Sequence, residues 1–277
     1  EHEQRPGPRL DMIKGKFSKS FLKNWMWDPF GFNPHSRMPS FFGQSNNSKP
    51  EFMRKNITEV NSIAEYIWDK ANVYKPFKSY KGGNSENGKK LITEIGCLAC
   101  HSVEGIEESK VVASRKGPYL VGLGSKVDPD WLVSWLKKPS HYSKETIMPS
   151  FRLTDREAND ISAFLLASKN ETFSALKFEP LDPKVRDDLL VEYLSAFETV
   201  ASAKQKLAGF TDREKTLELG RRSVSKYGCY TCHYIDGFDG YPKVGPELSQ
   251  VGSKPVEQFG FGHEHIPHER HEWIRGH

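Results

Sequence analysis

The four cysteines of the chain form two pairs with the same internal spacing, and a histidine directly follows each pair. A pair of cysteines with two residues between them serves as zinc ligands, as a redox dithiol or as the attachment site of a haem. A histidine rarely follows both pairs by chance, whereas C-x-x-C-H is itself the haem-attachment signature. The two triplets are Cys97, Cys100 and His101, and Cys229, Cys232 and His233.

The chemistry of haem attachment explains this spacing. Two thiols on one helical turn can each form a thioether with a vinyl group of the haem, and the adjacent imidazole then reaches the iron. A zinc site formed from all four cysteines, the main alternative, would not need either histidine. A thioredoxin-like dithiol would need a βαβ pattern around it, which the sequence lacks. We therefore expect two covalently attached haem c groups, with His101 and His233 as iron ligands.

The composition indicates small modules rather than one large core. Apolar residues make up 36% of the 277 residues, and the 22 glycines and 17 prolines are typical of a loop-rich protein. The formal net charge of +4, from 40 basic and 36 acidic residues, is too balanced for a nucleic-acid-binding protein. No stretch approaches the roughly 18 apolar residues that span a bilayer, and residues 1–20 lack the features of a secretory leader.

A methionine lies where the second axial ligand of a haem is expected. Small c-type cytochromes commonly bind the iron with a methionine sulfur opposite the histidine. Gly117 and Pro118 follow His101, and Met148 comes 30 residues after Pro118. On these residues the chain resembles a multihaem c-type cytochrome built of tandem class I-type cytochrome c domains. The resemblance implies an all-α fold of small helical domains with covalent haem, and it implies that Met148 is an iron ligand.

The same resemblance implies roles in the haem pocket for three further residues. In cytochromes of this type, the carbonyl group at the position of Pro118 accepts a hydrogen bond from the proximal imidazole. Pro246 is its counterpart after His233. The residue at the position of Trp135 often faces a haem propionate. For the aromatic residues in general, packing in the core is favoured over a part in electron transfer.

Parts of this pattern occur three times in the chain. At a constant offset of 110 residues, Gly7-Pro8, Lys16, Trp25 and Met38 repeat Gly117-Pro118, Lys126, Trp135 and Met148. Around the second triplet, Gly220 and Gly245-Pro246 correspond to Gly88 and Gly117-Pro118. The first copy thus has the methionine but no triplet before it, and the third copy has the triplet but no methionine after it.

The positions of the three partial copies predict four segments in the chain. Residues 1–75 are the distal half of a cytochrome c-like domain, 76–180 a complete domain, 181–212 an amphipathic connector helix and 213–277 the proximal half of a further domain. Met38 is then expected to bind a third haem, which is attached upstream of the chain. We expect the chain to be an interior segment of a longer protein.

Local signals predict three helices within the complete domain, over residues 82–96, 128–137 and 154–168. The first of them leads into the triplet. Thr154 and Glu157 have the spacing of a capping box and start the closing helix. Gly88 is expected where the first and closing helices cross, because a missing side chain lets two backbones approach.

The sequence leaves the distal ligand of the second haem open. Five of the ten histidines lie in the last fifteen residues: His263, His265, His268, His271 and His277. A methionine beyond residue 277 is favoured as the ligand. His268 or His271 is the alternative, and either would lower the reduction potential of that haem relative to a methionine. A separate zinc or copper site in this cluster is a third alternative.

These observations predict an electron carrier, because a haem with histidine and methionine ligands has no coordination site left for a substrate. We expect a relay between a respiratory donor, such as a quinol-oxidising complex, and a downstream acceptor, with the chain as a subunit of a membrane-associated complex. The alternative is a haem enzyme, a peroxidase or a small-molecule reductase subunit, which uses an open distal side of the second haem.

Location and partners follow from the same chemistry. Covalent haem is attached outside the cytoplasm, which predicts a periplasmic or otherwise extracytoplasmic protein. The expected partners are redox proteins or a respiratory membrane complex, not nucleic acid, and any membrane anchor is expected outside this chain.

Overall fold

A computed structural model describes residues 7–106, 117–241, 251–261 and 266–276. Over these residues the chain is all-α, which confirms the fold class predicted from the sequence. The β contacts in the same residues are isolated bridges. None of the helices in this described part has the length and apolar character of a membrane span.

The helices are numbered α1 to α13 in chain order. The N-terminal helices are α1 Lys19–Trp27, α2 Pro29–Phe32 and α3 Pro50–Lys70. They are followed by α4 Ser85–Ile95, α5 Pro129–Lys137, α6 Pro139–Tyr142, α7 Asp155–Ala167 and α8 Glu171–Ser174. The remaining helices are α9 Pro183–Leu194, α10 Val200–Ala208, α11 Asp212–Lys226, α12 Cys229–Cys232 and α13 Arg270–Gly276. Short 3-10 turns cover Ser45–Asn47, Cys97–Ala99 and Val256–Gln258.

The described residues between 76 and 180, called the middle unit below, are built on the crossing of α4 and α7. Gly88 lies at this crossing, where a Cβ atom would come within 2.0 Å of the carbonyl oxygen of Asp160. The close approach therefore requires glycine, as the sequence predicts. Thr154 and Glu157 form the predicted capping box at the start of α7. The core of the unit includes Ile92, Trp131, Leu132, Ile161 and Leu165.

A second unit is formed by two segments that are far apart in the chain. Helix α3 packs against α11, and a Cβ atom at Gly220 would come within 2.1 Å of the carbonyl oxygen of Ser62. Gly220 therefore permits at this crossing the same close approach that Gly88 permits in the middle unit. Residues 7–75 together with 211–241 are called the composite unit below.

The composite unit corrects the domain division that the sequence predicts. The repeat assigns residues 1–75 and 213–277 to two separate domains, whereas the structure packs parts of both into one core. That core includes Val60, Ile63 and Ile67 of α3 with Val224, Ile235 and Phe238. The physical reason is that α3 has an apolar face to bury. In the middle unit, α4 covers the apolar face of α7. Helix α11 is the repeat copy of α4, and it covers the corresponding face of α3.

Residues 181–212 contain two helices rather than the single connector helix that the sequence predicts. Helix α9 ends at Leu194, and α10 begins after Thr199, whose hydroxyl accepts a hydrogen bond from the Ser202 amide. The helices share a core of Leu189, Leu190, Leu194, Ala203 and Leu207 with Leu219 of α11. Helix α9 also packs against α3, so the connector contacts the composite unit.

A buried carboxylate joins three segments of the chain beside the second triplet. Glu59 of α3 is 2% exposed and accepts hydrogen bonds from Tyr227 at 2.8 Å, from Lys226 at 3.0 Å and from the hydroxyl of Tyr193 on α9. Burial and the nearby Glu59 carboxylate raise the pKa of Tyr193 and of Tyr227, so both hydroxyls stay protonated donors at neutral pH. This cluster fixes the chain two residues before Cys229.

Candidate functional site

The first triplet lies on a tight turn at the end of α4. Gly96 ends the helix with φ of 93°, a left-handed conformation that favours glycine. The chain then forms the 3-10 turn that begins at Cys97, and the His101 amide donates to the Cys97 carbonyl oxygen at 3.0 Å. Cys97 is half-buried and Cys100 is exposed, and neither is in a disulfide. Both thiols and the imidazole are therefore carried by one short turn.

The imidazole of His101 is oriented by backbone groups of the segment that follows. Its Nδ1 lies 2.8 Å from the carbonyl oxygen of Pro118, the contact that the resemblance implies. Because a carbonyl oxygen only accepts, Nδ1 carries the hydrogen and Nε2 carries the lone pair that can bind a metal. The Gly117 amide donates to the Cys100 carbonyl oxygen at 2.9 Å, and a Cβ atom at Gly117 would come within 2.6 Å of the imidazole.

Met148 is placed on the core that also supports the first triplet. Cys97 and Met148 both pack against the core of the middle unit. The indole Nε1 of Trp135 donates to the Met148 sulfur at 2.9 Å. The sequence expectation for Trp135 is a contact with a haem propionate, whereas the structure directs its N–H group to the sulfur. The middle unit thus combines two thiols, an oriented imidazole and a thioether sulfur in one small domain.

The second triplet has the same local geometry as the first. Gly228, with φ of 65°, precedes the turn of α12, and the His233 amide donates to the Cys229 carbonyl oxygen at 3.0 Å.

Burial raises the pKa of the Cys97 thiol and raises that of Cys229 to about 12. A redox dithiol needs a thiol whose pKa is lowered, so these environments do not favour disulfide exchange.

The imidazole of His233 is oriented by residues from the other end of the composite unit. Its Nδ1 lies 2.8 Å from the carbonyl oxygen of Pro8, and the Gly7 amide donates to the Cys232 carbonyl oxygen at 2.8 Å. A Cβ atom at Gly7 would come within 2.5 Å of the imidazole. The sequence analysis gives this role to Pro246, which lies outside the described residues, whereas the structure gives it to Pro8.

Met38 has the same relation to the second triplet that Met148 has to the first. Met38 and Cys229 both pack against the core of the composite unit, and Trp25 Nε1 donates to the Met38 sulfur at 3.0 Å. The sequence analysis assigns Met38 to a haem attached upstream of the chain, whereas the structure packs Met38 against the same core as Cys229 of this chain. The third haem, which was expected from that assignment, stays a prediction.

The histidines near residue 270 lie apart from this arrangement. His268 stacks on Phe261 with ring centroids 4.3 Å apart, and its Nδ1 contacts the Ser45 hydroxyl. His271 is 65% exposed and lies beside Glu269 and Glu272. Neither ring belongs to the core against which Cys229 and Met38 pack. His263, His265 and His277 lie outside the described residues.

The zinc alternatives find no support in the described part of the chain. The two cysteine pairs belong to different units, and within the described ranges no three His, Cys, Asp or Glu side chains gather as ligands for one metal ion. The donor set of each unit is instead a thiol pair, one imidazole and one thioether, which fits covalent haem with two axial ligands.

Sequence reasoning missed Gly7 and Pro8 as functional residues. The signal was present, since both repeat Gly117-Pro118 at the offset of 110 residues. What the sequence did not show is which triplet they serve.

Comparison with known proteins bears on the middle unit. Residues 85–169 match the family model described as Cytochrome c. The match includes the first triplet, Pro118, Trp135 and Met148. Neither a curated protein nor a solved structure matches the chain. The chain therefore contains a cytochrome c domain in its middle unit, and the composite unit is related to that domain by the internal repeat and by the shared geometry.

Proposed function

We propose that the protein is a c-type cytochrome that transfers electrons through two covalently attached haem c groups, one in each unit. The observation that carries this proposal is the equivalence of the surroundings of His101 and His233. Each imidazole donates to a proline carbonyl oxygen at 2.8 Å and lies against a glycine that could not carry a side chain. Two unrelated turns would not share these contacts.

The residues of each unit have separate tasks in this proposal. In the middle unit, Cys97 and Cys100 would hold the porphyrin, and His101 and Met148 would bind the iron. In the composite unit, the same tasks fall to Cys229, Cys232, His233 and Met38. The haem supplies an iron that is reversibly oxidised and reduced. The protein supplies the bonds, the orientation of the imidazole and an apolar pocket that sets the reduction potential.

The position of Met38 favours electron transfer over catalysis. The enzyme alternative requires a second haem with an open distal side, and the sequence analysis left the ligand of that side open, with His268 or His271 as the alternative to a methionine beyond residue 277. In the composite unit the Met38 thioether packs against the same core as Cys229, and the Trp25 indole N–H donates to its sulfur. If Met148 and Met38 bind the iron of the two haems together with His101 and His233, no coordination site would be left for a small substrate.

The place of this electron carrier in the cell follows from haem attachment, which takes place outside the cytoplasm. We propose an extracytoplasmic protein that relays electrons from a respiratory donor, such as a quinol-oxidising complex, to a downstream acceptor as part of a membrane-associated complex. The helical connector supports this view, because α9 packs against both α3 and α11 and holds the composite unit in a fixed arrangement.

Haem counting tests the proposal. The protein is produced with a haem-attachment system, and the intact mass and the covalent haem content of the denatured chain are measured. We expect two haems in the wild type, one in Cys97→Ala/Cys100→Ala and one in Cys229→Ala/Cys232→Ala. A colourless chain, or zinc bound to the thiols at one ion per chain, would refute it.

Carbon monoxide binding separates the carrier from the enzyme. We expect the reduced wild type to bind carbon monoxide poorly at both haems. Met38→Ala should open one haem and Met148→Ala the other. Strong binding at one haem of the unchanged protein would favour the enzyme alternative.

A further inference from the structure

Lys16 and Lys126 occupy corresponding positions in the repeat, and the side chain of each one reaches into the other unit. Lys16 of the composite unit places its Nζ over the rings of Trp131 and Tyr142 in the middle unit, 4.6 and 5.1 Å from their centroids. In the opposite direction, Lys126 of the middle unit reaches into the composite unit. Its Nζ lies 5.3 Å from the Trp25 centroid in the composite unit and also faces the rings of Phe21 and Phe32. Each lysine thus enters the aromatic cluster of the other unit.

Hydrogen bonds between the two units hold both lysines in these positions. The Asp128 amide donates to the carbonyl oxygen of Lys16 at 2.7 Å, and the Tyr142 hydroxyl donates to that of Met12 at 3.0 Å. On the other side, Asn24 donates to the carbonyl oxygen of Phe173 at 2.8 Å. The lysines therefore lie in a specific junction and not on a mobile surface.

Neither lysine has an acidic partner in the described residues. The ion pairs found there do not include Lys16 or Lys126, and the charged group that acts on Lys16 is Lys126 itself. Burial lowers the pKa of Lys16 to about 7 and that of Lys126 to about 8. Contact with aromatic faces offsets only part of the cost of burying an ammonium group, so an anion is expected beside each lysine.

A second buried donor lies at the same place as Lys16. Trp131 is 5% exposed, and its Nε1 has no hydrogen-bond partner within the described part of the chain. An ammonium and an indole N–H therefore lie on one ring system without an acceptor. A carboxylate between them would satisfy both groups. Trp131 belongs to the core against which Cys97 and Met148 pack, so the missing acceptor lies in the haem-binding domain.

We propose that each unit supplies the lysine that pairs with a propionate of the haem in the other unit. Lys16 and the indole of Trp131 hold a propionate of the haem attached at Cys97 and Cys100. Lys126 holds a propionate of the haem attached at Cys229 and Cys232. The inference rests on the proposed function, since it requires haem in both units, and it adds a recognition site that crosses the junction. The reduction potential of each haem is then set partly by the neighbouring unit.

Reduction potentials of the holoprotein test this crossed arrangement. Removing a positive charge near a haem stabilises its oxidised form and lowers its potential. We expect Lys16→Met to lower the potential of the Met148 haem, with the oxidised-to-reduced ratio at a fixed applied potential rising about tenfold, or about 59 mV for one electron. The Met38 haem should change much less. Lys126→Met should have the reverse pattern, and Lys16→Arg should keep the wild-type value.

The two haems are distinguished by repeating each titration with Met148→His, which lowers the potential of that haem. Lys184→Met is the control, because Lys184 is exposed on α9 and forms a surface ion pair with Asp188. An effect of each lysine on the haem of its own unit, or no effect on either haem, would overturn the inference. Loss of covalent haem from the wild type would overturn the proposed function instead.

A measurement on the unchanged protein covers the case in which the methionine variants do not fold. Nitrogen-15 NMR of the reduced protein follows the Nζ groups of Lys16 and Lys126 with pH. Paired with propionates, both stay protonated at pH 9, because an adjacent anion raises the pKa of an ammonium group. Loss of the proton from Lys16 near pH 7 would show that it has no anionic partner.

Discussion

The amide of Gly7 donates a hydrogen bond to the carbonyl oxygen of Cys232 at 2.8 Å, and this contact joins two segments that lie 225 residues apart. Gly117 makes the corresponding contact with Cys100 at 2.9 Å. The second haem site is therefore built from both segments of the composite unit, and changes in either one should affect the same haem.

Substitution of Gly7 tests this dependence. A Cβ atom at Gly7 would come within 2.5 Å of the His233 imidazole, so Gly7→Ala should displace the ring and weaken its bond to iron. We expect the composite-unit haem to bind carbon monoxide in the reduced state while the other haem is unchanged. Gly117→Ala should affect the other haem instead.

Gly252→Ala is the matched control, because a Cβ atom there would meet none of the described residues within 4 Å. If Gly7→Ala left both haem spectra unchanged, Pro8 and Gly7 would not belong to the His233 site.

The indole N–H groups that donate to the methionine sulfurs should raise the reduction potentials of the haems. Trp25→Phe and Trp135→Phe each remove one N–H···S hydrogen bond, of 3.0 and 2.9 Å. A sulfur that no longer accepts this bond donates more electron density to ferric iron, so the potential of the haem in that unit should fall. Spectroelectrochemistry measures both potentials, and the sulfur-to-iron charge-transfer band reports whether the methionine stays bound.

Trp27→Phe serves as the control, since Trp27 stacks on Phe42 and makes no hydrogen bond with a methionine sulfur in the described structure. Equal shifts in all three variants would mean that the effect comes from packing and not from the hydrogen bond.

The buried Glu59 should stabilise the composite unit. Glu59→Gln removes the negative charge that Lys226 pairs with at 3.0 Å and weakens two tyrosine hydrogen bonds. Because the two tyrosine hydroxyls and Lys226 lose a charged acceptor at a buried position, we expect the free energy of unfolding to fall by about 2 kcal/mol. Denaturant titration of the holoprotein, followed by the absorbance of the haems, measures this change.

Glu192→Gln is the comparison, because Glu192 pairs with Lys55 at the surface. Exposed pairs contribute about 0–1 kcal/mol, so this variant should be close to the wild type. A similar loss in both variants would argue against a special role for Glu59.

Asp155 gives the middle unit an acid-dependent contribution to stability. Hydrogen bonds from Lys137 and Lys78 lower the pKa of this carboxyl from 3.8 to about 2. A carboxyl whose pKa is lower in the folded state stabilises the fold above pH 3.8, and that stabilisation is lost as the pH falls to about 2. The difference in Tm between wild type and Asp155→Asn should therefore be present at pH 6 and vanish near pH 2. A difference that is constant across this range would exclude the carboxylate as its cause.

The sequence predicts most of the middle unit because its signals are local. Thr154 and Glu157 are three residues apart, and the triplet and Pro118 belong to one continuous stretch. Gly88 could be assigned to a helix crossing because no other residue permits such a close approach. These features depend on neighbours in the chain, and the repeat supplies a second copy to compare.

The composite unit could not be predicted in the same way. The repeat shows that Gly7, Pro8 and Met38 form a distal half, and that Cys229 and His233 form a proximal half. It does not show that the two halves join, because burial of α3 against α11 is decided by tertiary packing. The Trp25–Met38 hydrogen bond also could not be predicted from the sequence, because the path of the loop between these residues depends on that packing.

The separation of the two halves has a consequence for how the chain folds. His101 and Pro118 are 17 residues apart, whereas His233 and Pro8 are 225 residues apart. For a flexible chain, closing the larger loop adds about 2 kcal/mol of entropic cost, and contacts of high sequence separation form slowly. We therefore expect the middle unit to form its core early, and the His233 pocket to form late and to be lost first when the chain unfolds.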